Sequence, residues 1–213
     1  MKLTIKIFAL AALLAVSPAV NVLAESSSEA SSTSASSESS ASNESSQAEV
    51  VGPEVGTRKA PVPLGKTKEV KESVFGTSKT FEATYKLRVN HVLRGESAER
   101  VLTKVSRYNQ TALADLKSNQ EVLLAEIELE YVEGDEQNAY QTPYRVQLFD
   151  DKGKEVRVDA FYPEIPDDEE FTGVELFPGA SHKGYVALVV PKGMNVQLAF
   201  DSDNGKVFFS TTK

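Results

Sequence analysis

Residues 123–132 read LLAEIELEYV. Leu123, Ala125, Ile127, Leu129 and Tyr131 fall on one side of an extended chain, and Glu126, Glu128 and Glu130 on the other. Successive side chains of a strand point to opposite faces, so this alternation marks a strand with one oily and one wet face. Residues 81–92, FEATYKLRVNHV, repeat the pattern. Phe81, Ala83, Tyr85, Leu87, Val89 and His91 share one face, and Glu82, Thr84, Lys86, Arg88 and Asn90 the other.

Working outward, YRVQLFDD, KEVRVDAF, GYVALVVP, NVQLAFDS and KVFFSTT carry the same signature. Turn-formers separate them: Asp150-Asp151-Lys152-Gly153, Pro178-Gly179, Pro191-Lys192-Gly193 and Asp203-Asn204-Gly205. Many short strands joined by hairpin turns imply an all-β, antiparallel sandwich or barrel. Only residues 111–119, TALADLKSN, read as helical. The run from Gly184 to Val190 is apolar on both faces, which predicts a central strand covered on both sides.

Three regions are expected. Residues 1–24 form a secretory signal: Lys2 and Lys6 precede a short apolar block, and Val22-Leu23-Ala24 ends in small residues. The block is short of the roughly 20 apolar residues that span a bilayer, so cleavage after Ala24 is expected, with an uncleaved N-terminal anchor as the alternative. Residues 25–57 form a disordered linker, because the Ser/Glu-rich stretch ESSSEASSTSASSESSASNESSQAEV buries too little apolar surface to offset its ordering entropy. Residues 58–213 form one β-sandwich domain. No later stretch is apolar enough to cross a membrane.

The chain has no cysteine, which excludes disulfides, thiolate metal sites and cysteine nucleophiles. An exported domain without staples needs a substantial core, and this fits a bacterial source. The formal net charge is −8, and −10 without Lys2 and Lys6. An acidic surface repels phosphate backbones, so nucleic acid is not an expected partner. Asn43-Glu44-Ser45 and Asn109-Gln110-Thr111 match the glycosylation sequon.

The order APVPLGK, LRVNHVLRGESA, a Tyr-Asn pair, EVLLAEIELEYVEG and finally LFPGASHKGYVALVVPK resembles a family of uncharacterised, secreted immunoglobulin-like domains of Gram-positive bacteria. It is similar to secreted mycobacterial immunoglobulin-like antigens and to many surface lipoproteins, over roughly residues 60 to 210. The resemblance implies an immunoglobulin-like sandwich, export and no established catalytic residue. The chain departs from that pattern in having no tryptophan.

The remaining constellations read as structure. Ser181-His182 are neighbours in a strand and point to opposite faces, and GASHKG lacks the spacing of a nucleophile elbow. His91 and His182 alone are weak evidence for a metal. Asp201-Ser202-Asp203-Asn204-Gly205 places its glycine one residue early for a calcium loop and reads as a hairpin turn. The acidic run Asp167-Asp168-Glu169-Glu170, with Asp150 and Asp151, reads as solvated loop. Lys86 and Arg88 are available as cross-strand partners for Glu126, Glu128 and Glu130. Tyr85, Tyr131, Tyr140, Tyr144, Tyr162 and Tyr185 read mostly as core. No catalytic, cofactor-binding or metal residue is therefore expected, and no cofactor.

The function that follows is a non-catalytic binding module at or near the bacterial cell surface. Its partner would be a protein, peptide or glycan, and the protein would be a monomer. Two alternatives stay open: an extracellular hydrolase using carboxylates or a bound metal, and an ion-responsive structural spacer.

Overall fold

The computed structural model describes residues 49–76, 79–157 and 161–212. The expected signal and most of the linker lie outside the described residues. Nine strands and two helices follow one another among the described residues. They are β1 (Thr67–Phe75), β2 (Thr80–Arg94), α1 (Glu96–Val105), α2 (Asn109–Ala114), β3 (Gln120–Glu133), β4 (Tyr140–Gln141), β5 (Gln147–Asp150), β6 (Glu175–Leu176), β7 (Ser181–Pro191), β8 (Val196–Ser202) and β9 (Gly205–Ser210).

The strands form one four-stranded sheet in the order β1-β2-β3-β7 and one three-stranded sheet in the order β5-β8-β9. A short β4-β6 pair accompanies them. All strand pairs are antiparallel. The chain is thus an all-β, antiparallel, sandwich-like fold. Its main core gathers the inner faces of both sheets: Leu87, Leu123, Ile127 and Leu129 from one, Leu198, Phe200 and Phe209 from the other. Phe200 and Phe209 meet edge to face at 5.5 Å, a favourable aromatic geometry.

A smaller core lies on the outside of the larger sheet. Ala98 and Leu102 of α1 cover Val122 and Leu124, which project from the far face of β3. The chain from residue 120 to residue 129 is therefore apolar on both faces at one end and on one face at the other. The sequence reading assigned the doubly covered central position to Gly184–Val190. The structure places that segment, β7, at the sheet's edge and gives the central position to β3. The two-sided apolar pattern of β7 has a different cause. Val186, Leu188 and Val190 reach the main core, while Tyr185 and Ala187 pack on the helical layer.

The outer edge of β7 is partly closed by residues 169–171. Tyr185 donates its N–H to Glu169 O (2.7 Å) and accepts from Phe171 N (3.1 Å). Gly184 permits this approach, since a Cβ there would lie 2.6 Å from Phe171 N. Such cover shields an edge from unwanted strand pairing.

Helix α1 was absent from the sequence reading, although Ala98, Val101, Leu102 and Val105 show the helical i, i+3, i+4, i+7 spacing. The other helix, α2, starts close to the expected 111–119 segment. Residues 49–57, read as linker, pack on the sandwich. Val51 N bonds Thr67 O (2.8 Å), and Gly56 O accepts from Phe208 N (2.8 Å). The packed region therefore begins before residue 58.

Candidate acidic–aromatic cleft

The inner face of β1 carries Val70, Glu72 and Val74, opposite Tyr85, Ala83 and Phe81 of β2. Glu72 is a carboxylate in an apolar row. It is half-buried, and its smallest neighbour, Ala83, leaves it room. Tyr140 donates its hydroxyl to one carboxylate oxygen (2.9 Å), and Tyr85 donates to the other at a longer 3.4 Å. The rings of Tyr85 and Tyr131 pack against Tyr140 at 4.9 and 5.5 Å. Burial pushes the Glu72 carboxyl above its usual range, the tyrosine hydroxyls pull it back, and the nearby Asp203 charge pushes it further up. Burial also pushes the Tyr140 and Tyr85 hydroxyls up, reinforced by neighbouring Tyr85 and Glu72. Both stay protonated and act as donors.

Glu72 opens onto a cleft of about 930 Å³ between the end of β1, the β4 and β6 region and the β8–β9 turn. Asp203 is fixed there by accepting the Ser73 N–H. Asp201 lies beside it and pairs with Lys206 across the hairpin. Glu175 adds a further exposed carboxylate. Two aromatic side chains frame the opening: Phe75 is 81% exposed and Phe177 50% exposed. Phe75 ends β1, paired with Thr80. Phe177 begins the Pro178-Gly179 turn, closed by Ala180 N donating to Phe177 O (3.0 Å). Phe75 alternates with Val74 along β1 and so leaves the strand on the side away from the core, and the turn holds Phe177 outside it.

The expected candidates fall elsewhere. Ser181 stands opposite Glu130 and His182 opposite Leu129, so they face opposite sides of the sheet. His182 stacks on Phe171 and donates from Nε2 to Glu170 O (2.7 Å). His91 was placed on the inner face with Val89. A bulge between Val89 and His91 reverses the alternation, so His91 faces outward and its Nδ1 lies 3.1 Å from Glu126. The two histidines therefore sit on different faces. Asp150 Oδ1 accepts the N–H groups of Lys152 and Lys154, a turn-stabilising arrangement. Among the described residues, no group of three His, Asp or Glu is placed to hold a metal.

Glu126, Glu128 and Glu130 form a ladder on the outer face of the larger sheet. Arg88 bonds Glu128 at 2.5 Å, Lys86 bonds Glu130 at 3.3 Å, and Lys183 reaches Glu126 at 3.3 Å. Burial pushes the Glu128 carboxyl up, but hydrogen bonds from Arg88 and Asn90 outweigh it and hold it below its usual range. Of the tyrosines, Tyr85, Tyr131 and Tyr140 are core, Tyr185 is half-buried, and Tyr144 and Tyr162 are exposed. Asn109 of the second sequon is buried, with its amide bonded to Leu102 O and to Glu164 N and O. The first sequon lies outside the described residues. Sequence reasoning missed the cleft, though Val-x-Glu-x-Val at residues 70–74 was its visible trace.

No family model matches the chain, and no curated protein matches it. Among solved structures it is similar to the yjhA protein from Bacillus subtilis, with 13% identity and a TM-score of 0.40. That match covers 66% of this chain and 80% of the other. Among the described residues, no helix is long and apolar enough to cross a membrane.

Proposed function

We propose that this chain is a secreted or cell-surface-associated, non-catalytic binding module with an immunoglobulin-like β-sandwich, and that the acidic–aromatic cleft is its binding site. The observation that carries the reading is the exposure of Phe75 and Phe177 beside Glu72, Asp203 and Glu175 in one open cleft. Two exposed aromatics lining one cleft with several carboxylates make the kind of mixed surface that another molecule can cover. Export is supported by the N-terminal apolar block with its lysines. The Ser/Glu-rich stretch serves as a tether. A protein, peptide or glycan is the partner, and acidity disfavours nucleic acid.

The test is retention of cell-wall fragments and peptide mixtures on the immobilised exported protein and on its Phe75→Ser variant. Wild type should retain a ligand that the variant loses, and the ligand should be recovered chemically intact. Equal retention by both overturns the reading. A second reading, a carboxylate hydrolase, is favoured by one observation: Glu72, with its raised pKa, shares the cleft with Asp203. Recovery of cleaved ligand, stopped by Glu72→Gln, would establish that reading instead.

A further inference from the structure

We infer that the cleft takes a cationic side chain, lysine or arginine, from a peptide or protein partner, with an adjoining apolar residue lying on Phe75 and Phe177. This rests on the reading that the cleft is the binding site. The argument starts from the charge of the lining. Among the described residues that line the cleft, none is Lys or Arg. Lys206 compensates Asp201 from outside it. Glu72 has tyrosine hydroxyls as its partners and no ion pair among the described residues.

A carboxylate has about four lone-pair sites, and two tyrosine donors leave others for a partner. Holding such a group partly away from water is unfavourable, and a cation that pairs with it relieves that cost. Lysine and arginine bring that cation on an apolar stem. The stem suits aromatic walls, and a cation over a phenyl face adds a further attraction. The volume, about 930 Å³, lies at the upper end of ligand-pocket volumes and leaves room for a side chain together with its flanking residues. A neutral sugar would offer hydroxyl donors but no charge to offset the acidic lining, and a bare divalent ion would lack its ligands, since no acidic trio converges among the described residues.

The experiment uses three acetylated, amidated peptides that share Leu and Phe flanks and differ in a central Lys, Gln or Glu. Binding to the full exported protein is followed by fluorescence anisotropy, and its location by the amide NMR signals of Phe75 and Phe177. The Lys peptide should bind about tenfold tighter than the Gln peptide, the scale of one charge-assisted hydrogen bond at a partly exposed site. The Glu peptide should bind weakest. In Glu72→Gln the Lys advantage should fall to near unity, while binding of the Gln peptide persists. Raising salt should shrink the Lys advantage in wild type. A melting curve confirms that each variant is folded.

Equal binding of Lys and Gln peptides at the Phe75 signals overturns the cationic class and leaves the binding-module reading standing. A glycan that perturbs Phe75 and Phe177 when no peptide does has the same consequence. If neither peptide nor glycan perturbs these signals, both the inference and the reading it rests on fall.

Discussion

Two groups of carboxylates in this molecule have the same chemistry and opposite surroundings. On the outer face of the β1-β2-β3-β7 sheet, Glu126, Glu128 and Glu130 each face a cation: Lys183, Arg88 and Lys86. In the cleft, Glu72 faces tyrosine hydroxyls, Asp203 a backbone N–H, and exposed phenylalanines stand beside them. The ladder is internally neutralised and presents nothing a partner would need. The cleft holds negative charge that the described residues around Glu72 do not compensate. Acid count alone does not point to the difference, since Glu72, Glu175, Asp201 and Asp203 line the cleft and Glu126, Glu128 and Glu130 the ladder. Pairing separates a solvated sheet face from a surface that a second molecule can complete.

The contrast breaks most readily at the aromatic frame. Replacing Phe75 and Phe177 together with Ser should weaken ligand binding by about 100-fold, the combined scale of two exposed aromatic anchors. Melting temperature should stay within about 2 °C, since neither ring belongs to the core. Arg88→Gln on the ladder should do the reverse, lowering stability and leaving binding unchanged. A common effect on both measurements from both variants would erase the distinction.

The contrast can also be abolished from the other side by making the ladder resemble the cleft. His91→Gln with Lys183→Gln leaves the buried carboxylate of Glu126 without its two basic neighbours. The expected cost is about 1–2 kcal/mol, a fall in Tm of roughly 3–6 °C. An unchanged Tm would mean that water already serves this group, and that pairing is not what distinguishes the two regions.

The fold was legible because alternation is a local signal. Leu123 to Tyr131 and Phe81 to Val89 read out the inner face residue by residue, and Pro178-Gly179 read out its turn. Of the features that escaped, three did so for physical reasons. The bulge at His91 inserts one residue into a strand whose composition does not change, so the flip of face leaves no mark until the partner strand is seen. Strand β7 is apolar on both faces because a helical layer reaches the sheet's edge, and apolarity reports cover without reporting position. The cleft joins β1, the region around β6 and the β8–β9 turn, which lie far apart in the chain, and no local pattern could gather them. Glu72 was nonetheless readable as the acid that interrupts Val70 and Val74. A buried acid of this kind marks either a paired group or a working one. The distinction between the two lies in tertiary contacts.

The smallest expected effect is also the most discriminating, because it differs in sign between the two regions. Burial raises the Glu72 pKa above its ordinary 4.5. The folded state therefore holds that proton more tightly than the unfolded chain. Its stabilising contribution is present below pH 4.5 and is lost as pH rises through the folded value. Glu72→Gln, which keeps an acceptor for Tyr140, should thus be more stable than wild type at pH 7 by roughly 0.5–1 kcal/mol. Glu128 is the mirror case: its folded pKa is lowered, so its contribution is present above the ordinary 4.5 and is lost as pH falls through the folded value. Glu128→Gln should be less stable than wild type at pH 7 by a similar amount. Each difference corresponds to about 1–3 °C in Tm. Both gaps should close toward zero in acid, one from above and one from below. If Glu72→Gln also melts below wild type at pH 7, the tyrosine hydrogen bonds outweigh desolvation. The cleft carboxylate would then be as settled as those on the ladder, with no standing demand for a cation.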